Sequence, residues 1–176
     1  MRIKKNDQLP TFNALDIFNN SISSSNFEGK RVYISFLRTA SCPFCNLRVH
    51  ELIQKQAEWN KKGIITIAVF ASPSEEILEY AGKQKPPFTI ISDPNEVLYK
   101  KFGITHSYWS MLKTMTRLSG ILETIRKGFF NFKSFTDKPI LTGDFLIDEN
   151  KNVIECYYGK DFGDHISFEK IDEWKS

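Results

Sequence analysis

The 176-residue chain has few cysteines, few histidines and no long apolar run. Its three Cys and three His residues include only one close pair, Cys42 and Cys45. Because a structural zinc site usually takes four ligands from two such pairs, no metal is expected. No stretch of about 18 apolar residues could form a membrane-spanning helix. The basic N-terminus MRIKKNDQLP also lacks the apolar segment of a signal peptide. These absences predict a cytoplasmic protein, in which disulfides are mostly transient and catalytic.

Charge is distributed unevenly along an otherwise ordinary composition. Hydrophobic residues make up 41% and charged residues 26% of the chain, which fits one globular domain with a sizeable core. Residues 100–138 contain eight Lys and Arg but two acidic residues, whereas the net charge of the whole chain is +3. Such a segment is typical of a solvated helix face, or of a surface for an acidic partner or a membrane. No nucleic-acid-binding motif is present, so no nucleic-acid partner is expected.

Apolar runs and capping signals predict alternating strands and helices. Strands are predicted at 31–36, 63–70 and 88–92, with helices at 42–62, at 73–83 and between Asp93 and Gly103. Helical spacing of apolar residues continues over 105–128, and a hairpin at 143–159 and a short helix at 168–175 complete the chain. This order predicts parallel pairing early in the chain, helices on both faces of the sheet, and antiparallel pairing in the terminal hairpin.

Cys42 and Cys45 lie where the first predicted strand gives way to a helix. A thiol at a helix N-terminus faces unpaired N–H groups, which favour the reactive thiolate, and Arg38 adds positive charge. Because Cys45 follows one turn later, Cys42 can attack a partner that Cys45 then displaces by closing a disulfide. Packing of two buried thiols is the alternative interpretation. The C-x-x-C spacing at a strand–helix junction favours a redox pair.

Several stretches of the sequence resemble a known family. They are LPTFNALDIF, FEGKRVYISF, CPFCN and DFLIDENKNVIECYYGKDFGDH. They are similar to peroxiredoxin-like proteins of the AhpC/TSA type, within the thioredoxin-fold superfamily, in a branch that carries C-x-x-C. The resemblance implies a single thioredoxin-like domain over 1–176, of three-layer α/β/α type with a mixed sheet. It excludes residues 104–138, which are therefore predicted to be a helical insertion.

The resemblance also implies a cysteine-dependent thiol–disulfide oxidoreductase or antioxidant. Cys42 is then the nucleophile and Cys45 the resolving thiol. Thr39 stands at the hydroxyl position of the family pattern P-x-x-x-T-x-x-C, whereas Ser35 replaces its proline and the usual downstream Arg is missing. We expect Arg38 and Thr39 to stabilise the thiolate and the developing charge. The substrate is a peroxide or a disulfide, the reductant is a thioredoxin-like protein or a small thiol, and no cofactor is expected.

Thr142 and Asp144 are weaker candidates, for substrate binding. Thr142 stands where thioredoxin-like proteins usually carry a cis-Pro, and a trans bond is expected because a cis bond without proline is costly. Asp144 either orients a water or a proton carrier, or caps a turn. Cys156 alternates with apolar residues on one strand and is expected to be a core residue.

A catalytically idle binding module is the alternative function. It would use the basic aromatic segment 105–135 as its contact surface and would need no reactive Cys42. Four Phe residues crowd one end of that segment: Phe129, Phe130, Phe132 and Phe135. Exposure of this cluster would indicate a homodimer interface or a lid over the substrate. The apolar stripe of residues 105–128 is expected to pack on the domain.

Overall fold

The computed structural model describes residues 2–135 and 137–174, which form a seven-stranded mixed sheet. The strands are β1 (Asn13–Asp16), β2 (Ser21–Ser23), β3 (Arg31–Phe36), β4 (Ile64–Phe70), β5 (Thr89–Ser92), β6 (Gly143–Ile147) and β7 (Val153–Tyr158). Their order across the sheet is β2-β1-β5-β4-β3-β6-β7. Strands β3, β4 and β5 are parallel, whereas β6 is antiparallel to both β3 and β7. The predicted change from parallel to antiparallel pairing is confirmed.

The helices are α1 (Pro43–Lys61), α2 (Ser74–Glu79), α3 (Val97–Lys101), α4 (Tyr108–Met115), α5 (Leu118–Arg126) and α6 (Phe168–Asp172). Helix α1 begins as predicted, with Pro43 in the first turn, where a missing N–H costs nothing. It ends before Gly63, whose φ of 69° is the left-handed conformation that glycine adopts readily.

Helices cover both faces of the sheet, because side chains alternate along the central strand β3. Val32, Ile34 and Phe36 pack in one core with Leu98 and Tyr99 of α3. On the opposite face Tyr33 packs with Leu52 and Trp59 of α1 and with Ile171 of α6. The two cysteines belong to a third cluster on this second face, which includes Ile77 of α2. The result is a sheet between two layers of helices.

Three local features differ from the predictions. The antiparallel β1–β2 pair was not predicted, and α2 ends at Glu79, before a 3-10 helix at Ala81–Gln84. The single helix predicted over 105–128 is broken between α4 and α5. That residues 104–138 are an insertion into one domain stays a prediction. No helix in residues 2–135 or 137–174 is long and apolar enough to cross a membrane.

Gly159 allows the loop after β7 to pack closely against Thr142. A Cβ atom at position 159 would lie 2.0 Å from Thr142 Oγ1 and 2.4 Å from the carbonyl oxygen of Asp164. We predict that Gly159→Ala lowers the free energy of unfolding by about 1–3 kcal/mol, as overpacking usually does. Chemical denaturation measures this change. Ser119→Ala on the exposed side of α5 is the control, and an unchanged midpoint for Gly159→Ala would contradict the close packing.

Candidate active site

Cys42 is the N-cap residue of α1, and Cys45 lies one turn into that helix. Both thiols are reduced and buried. The backbone N–H of Cys42 donates to the carbonyl of Thr39 at 3.1 Å, and the Asn46 amide donates to the carbonyls of Ala40 and Cys42 at 2.7 and 3.0 Å. These bonds fix the loop before α1, so the Cys42 thiol is held at the helix N-terminus.

The two thiols have opposite pKa shifts. The hydrogen bond from the Cys45 thiol is the largest influence on Cys42; with the charge of Arg38 it outweighs burial and lowers the pKa of Cys42 to about 6. Burial, together with the bond to Cys42, raises the pKa of Cys45 well above its ordinary value. At neutral pH the pair therefore consists of a Cys42 thiolate and a Cys45 thiol, an assignment that suits a nucleophile and a resolving group.

Arg38 supplies a buried positive charge to this pair. Its side chain is held by Lys138 O at 2.7 Å, by Ser134 O and Asp137 O at 2.8 Å, and by Ser134 Oγ at 3.2 Å. The guanidinium carbon also lies 4.2 Å from the centre of the Phe162 ring. Because these partners are carbonyls, a hydroxyl and an aromatic ring, they satisfy the guanidinium without neutralising it. The charge of Arg38 therefore acts on the Cys42 thiolate.

Thr39 contacts an acidic residue that sequence reasoning missed. Its hydroxyl donates to Asp137 Oδ2 at 2.7 Å, and the Ser41 hydroxyl donates to the same oxygen. The backbone carbonyl of Asp137 meanwhile accepts from Arg38. Asp137 thus ties the cysteine loop to the segment before β6, and the predicted action of Thr39 on Cys42 stays a prediction. No local sequence signal pairs residues that lie almost a hundred positions apart.

A cavity of about 260 Å³ lies beside Cys42. Its walls are mainly apolar and come from the start of α1, from α4 and α5, and from the loop after β7, including Phe44, Thr114, Ile121, Thr124 and Phe162. The α4–α5 segment therefore covers the thiolate. Cys42, Arg38 and Ser134 line the same cavity, so it adjoins both the thiol and the guanidinium.

Thr142 lies outside the lining of this cavity. Its buried hydroxyl donates to the carbonyl of Asp164 and, at 3.4 Å, to that of Asp161. Its peptide bond is trans, as predicted. Thr142 therefore fastens the loop that carries Phe162, and its predicted role in substrate binding stays a prediction.

Asp144 also lies outside the cavity, in a buried polar network. It accepts hydrogen bonds from Tyr33 Oη at 2.7 Å, Ser35 Oγ at 2.8 Å, His165 Nδ1 at 2.9 Å and the Ile166 N–H at 3.0 Å. These contacts join β3, β6 and the loop after β7. The predicted role of Asp144 in orienting a water stays a prediction.

The charge of Asp144 is stabilised by the groups around it. Burial opposes ionisation, but His165, Arg48 and Tyr33 together outweigh it and lower the pKa of Asp144 to about 2. Arg48 of α1 completes the network by donating to the Tyr33 hydroxyl at 3.0 Å. One sequence signal was available for this network, since Tyr33 and Ser35 both carry hydroxyl groups on the same face of a strand that was predicted to be buried.

Comparison with known proteins places this site in context. The sequence model of the AhpC/TSA family matches residues 6–156. Peroxiredoxin Bcp of Escherichia coli strain K12 is 25% identical over 138 residues, which cover 75% of this chain and 88% of that protein.

Solved structures show a similar fold at low identity. A mutant of peroxiredoxin 6 from Arenicola marina has a TM-score of 0.73 at 15% identity, over 97% of this chain and 70% of that one. A thiol peroxidase from Chromobacterium violaceum has a TM-score of 0.70 at 13% identity, over 98% and 86% of the two chains. These similarities confirm the predicted thioredoxin-like fold.

The lowered pKa of Cys42 leads to a prediction for alkylation. Because only the thiolate reacts, labelling of Cys42 by iodoacetamide is expected to rise with pH around a midpoint near 6. Arg38→Gln removes the positive charge and is expected to move that midpoint upward by about one unit or more. Peptide mass spectrometry over a pH series measures both midpoints. Arg126→Gln on α5 is the control, and Cys156, whose pKa is raised by burial, should label only at higher pH.

The lowered pKa of Asp144 leads to a second prediction, for stability. Since the carboxylate is favoured in the folded state, its contribution is complete above about pH 4 and is lost as the pH falls toward 2. Asp144→Asn is expected to lower the free energy of unfolding at pH 7 by about 2 kcal/mol or more, and the deficit should shrink in acid. Urea unfolding at several pH values tests this, with the exposed Glu75→Gln as the charge control. A deficit independent of pH would contradict the electrostatic account.

Proposed function

Since the chain belongs to the AhpC/TSA family, and is thus a peroxiredoxin-like thiol-dependent oxidoreductase, we propose that it reduces hydroperoxides with Cys42 and Cys45. The observation that carries the proposal is the pair of buried thiols at the start of α1, with pKa values shifted in opposite directions, beside Arg38 and an apolar cavity. A nucleophilic thiolate and a protonated resolving thiol are the two groups that the reaction needs.

In the first step the Cys42 thiolate attacks the terminal oxygen of a hydroperoxide. The S–O bond forms while the O–O bond breaks, which leaves a sulfenic acid on Cys42 and an alkoxide that takes a proton from solvent. The sulfur is oxidised by two electrons and the peroxide is reduced. Arg38 supports this step because its charge lies beside the reacting atoms, where negative charge moves from sulfur to oxygen.

In the second step Cys45 resolves the sulfenic acid. Its sulfur attacks the Cys42 sulfur, the disulfide forms, and the hydroxyl leaves as water with the proton that Cys45 gives up. A thioredoxin-like dithiol or two small thiols then return two electrons by thiol–disulfide exchange. Cys45 thus has two roles, since its thiol also donates the hydrogen bond that stabilises the attacking thiolate.

The surroundings of Cys42 favour a small organic hydroperoxide as the substrate. The cavity walls are mainly apolar, and the Cys42 side chain is 1% exposed. A protein disulfide would have to approach through the α4–α5 segment, so disulfide reduction is the less favoured chemistry. Ser35 stands at the position of the family proline, but its hydroxyl donates to Asp144 and so does not replace the proline in shaping the cysteine loop. We therefore expect a peroxidase of modest rate.

The alternative of a catalytically idle binding module has less support. Such a module needs no reactive thiol, whereas here a hydrogen bond and a buried guanidinium both favour the Cys42 thiolate. Tyr108 and Trp109 of the segment 105–135 are exposed in either case.

The proposed roles of the cysteines predict distinct variants. Cys42→Ser should abolish peroxide consumption, whereas Cys45→Ser should still form a sulfenic acid, detectable with dimedone, but lose turnover with a dithiol. A separate Cys45→Ala variant should also slow the first step, because alanine removes the hydrogen bond to the thiolate, which the hydroxyl of Cys45→Ser can still donate. Stopped-flow oxidation with cumene hydroperoxide and with hydrogen peroxide measures each step.

Cys156→Ser is the matched control and should behave like the wild type. Peptide mapping of the oxidised protein should find a Cys42–Cys45 disulfide and a free Cys156. A dominant Cys42–Cys156 disulfide, or full turnover in Cys45→Ser, would overturn the assignment of Cys45. Absence of any peroxide reaction at Cys42 would overturn the proposed function itself.

A further inference from the structure

Helices α4 and α5 expose their large apolar side chains and bury small polar ones. The exposed apolar residues, here called the apolar face, are Tyr108, Trp109, Leu112, Met115, Leu118, Leu122 and Ile125. Trp109 is 81% exposed, whereas Ser110, Thr114 and Thr124 are buried. Apart from Met111, whose side chain is not among those described, the stripe predicted from the sequence lies on the outside of the protein, and the expectation that it packs on the domain is wrong.

The buried polar residues hold the two helices in this orientation. The Thr114 hydroxyl donates to the carbonyl of Ser110 at 2.8 Å and accepts the Phe162 N–H at 3.1 Å. The Thr124 hydroxyl donates to the carbonyl of Ile121 at 2.7 Å. On α5, Gly120 leaves room for Phe44, since a Cβ there would lie 2.7 Å from the Phe44 ring. Turning either helix to bury its apolar side would break these contacts, so the outward orientation belongs to the fold.

Exposed apolar surface is concentrated in this part of the molecule. Among the described residues, eight of the twelve exposed large hydrophobic side chains lie within residues 108–130. A patch of this kind on a protein surface usually meets a partner or a membrane. With eight and nine residues, α4 and α5 are too short to span a bilayer, but amphipathic helices of this character lie in the plane of its surface.

The charges around the apolar face identify what covers it. Residues 108–127 contain Lys113, Arg117, Arg126 and Lys127 but only one acidic residue, Glu123. Arg117 is paired with Asp161 and Asp164 of the loop after β7, and the other four charges sum to +2. Two copies meeting through this face would bring two such positive segments together, which is unfavourable. Anionic lipid headgroups instead complement the charge, while the acyl region accepts the apolar side chains. Tyr108 and Trp109 at the start of α4 are residue types favoured at membrane–water interfaces.

We propose that the α4–α5 apolar face docks onto the surface of an anionic phospholipid bilayer. Met115 and Phe130 line the cavity beside Cys42 and are themselves partly exposed, so the cavity opens next to this face. An apolar hydroperoxide leaving the bilayer would therefore enter close to the thiolate, a consequence that rests on the proposed function. The docking itself does not depend on that function.

Vesicle binding tests the proposal directly. The full chain is mixed with vesicles of phosphatidylcholine alone or of phosphatidylcholine with phosphatidylglycerol, and co-sedimentation gives the affinity. We expect roughly tenfold or stronger binding to the anionic vesicles at low salt, reduced as salt screens the charges. In a Trp174→Phe variant, Trp109 should report insertion by a blue shift of its fluorescence, because Trp174 is only partly buried whereas Trp59 is fully buried and already shielded from water.

Matched variants distinguish binding through the apolar face from non-specific adsorption of the protein to vesicles. Trp109→Ser with Leu112→Ser, and separately Lys113→Glu with Arg126→Glu, should each weaken binding to anionic vesicles about tenfold or more. Leu15→Ser with Phe18→Ser changes exposed apolar residues elsewhere and should leave binding unchanged. Cys42→Ser should bind vesicles like the wild type, because docking does not involve the thiol. Loss of peroxidase activity and loss of vesicle binding can therefore be observed separately.

Two outcomes would overturn the proposal. One is equal binding to neutral and anionic vesicles, or to neither. The other is a dimer, found by sedimentation equilibrium, that Trp109→Ser with Leu112→Ser dissociates while no vesicle binding occurs. In that case the apolar face is an interface between two copies of the chain.

Discussion

The buried guanidinium of Arg38 is the constraint on which the rest of the site depends. A charged group with 1% exposure is costly unless its donors are satisfied and a counter-charge lies near. Carbonyls of Ser134, Asp137 and Lys138 satisfy the donors, so these three residues are held close to the end of β3. The counter-charge is the Cys42 sulfur, whose pKa is lowered in part by Arg38, so the position of these residues and the lowered pKa both depend on one buried cation.

A second buried ionic group supports the first through the backbone. Asp144 binds His165, and Phe162, three residues earlier in the same loop, stacks on Arg38. Thr142 and Gly159 close the base of that loop. Asp144 therefore shapes the thiolate site without lying in the cavity, because the loop that it anchors supplies one wall. This arrangement accounts for an acid in the sheet that the cysteine pair does not contact directly.

The parts of the site that were predictable from the sequence are those encoded locally. The strand at 31–36, Pro43 at the helix start and the C-x-x-C spacing together placed Cys42 at a helix N-terminus, where its chemistry follows. The contacts of Arg38 with Ser134 and of Thr39 with Asp137 join residues about a hundred positions apart, and no local pattern encodes them. For α4 and α5 the helical spacing of apolar residues correctly predicted that these residues share one side of the helices. It could not tell that Gly120 packs closely on Phe44 and that the Thr114 hydroxyl accepts the Phe162 N–H, and these contacts leave the stripe outside.

The α4–α5 segment that covers Cys42 affects both the pKa of its thiol and the access of other molecules to it. Excluding water lowers the local dielectric constant, which strengthens the effect of the Cys45 hydrogen bond and of Arg38 on the thiolate. The same cover leaves a cavity of about 260 Å³ beside Cys42, so in the proposed reaction a more strongly activated thiolate would be reached by fewer substrates. Since the covering helices bury Ser and Thr and expose Trp and Leu, the hydrogen bonds that close the site also generate the external apolar face. The position of that face is therefore a consequence of how the thiolate is shielded, and a mutation that repacked the helices inward would expose the thiolate to water.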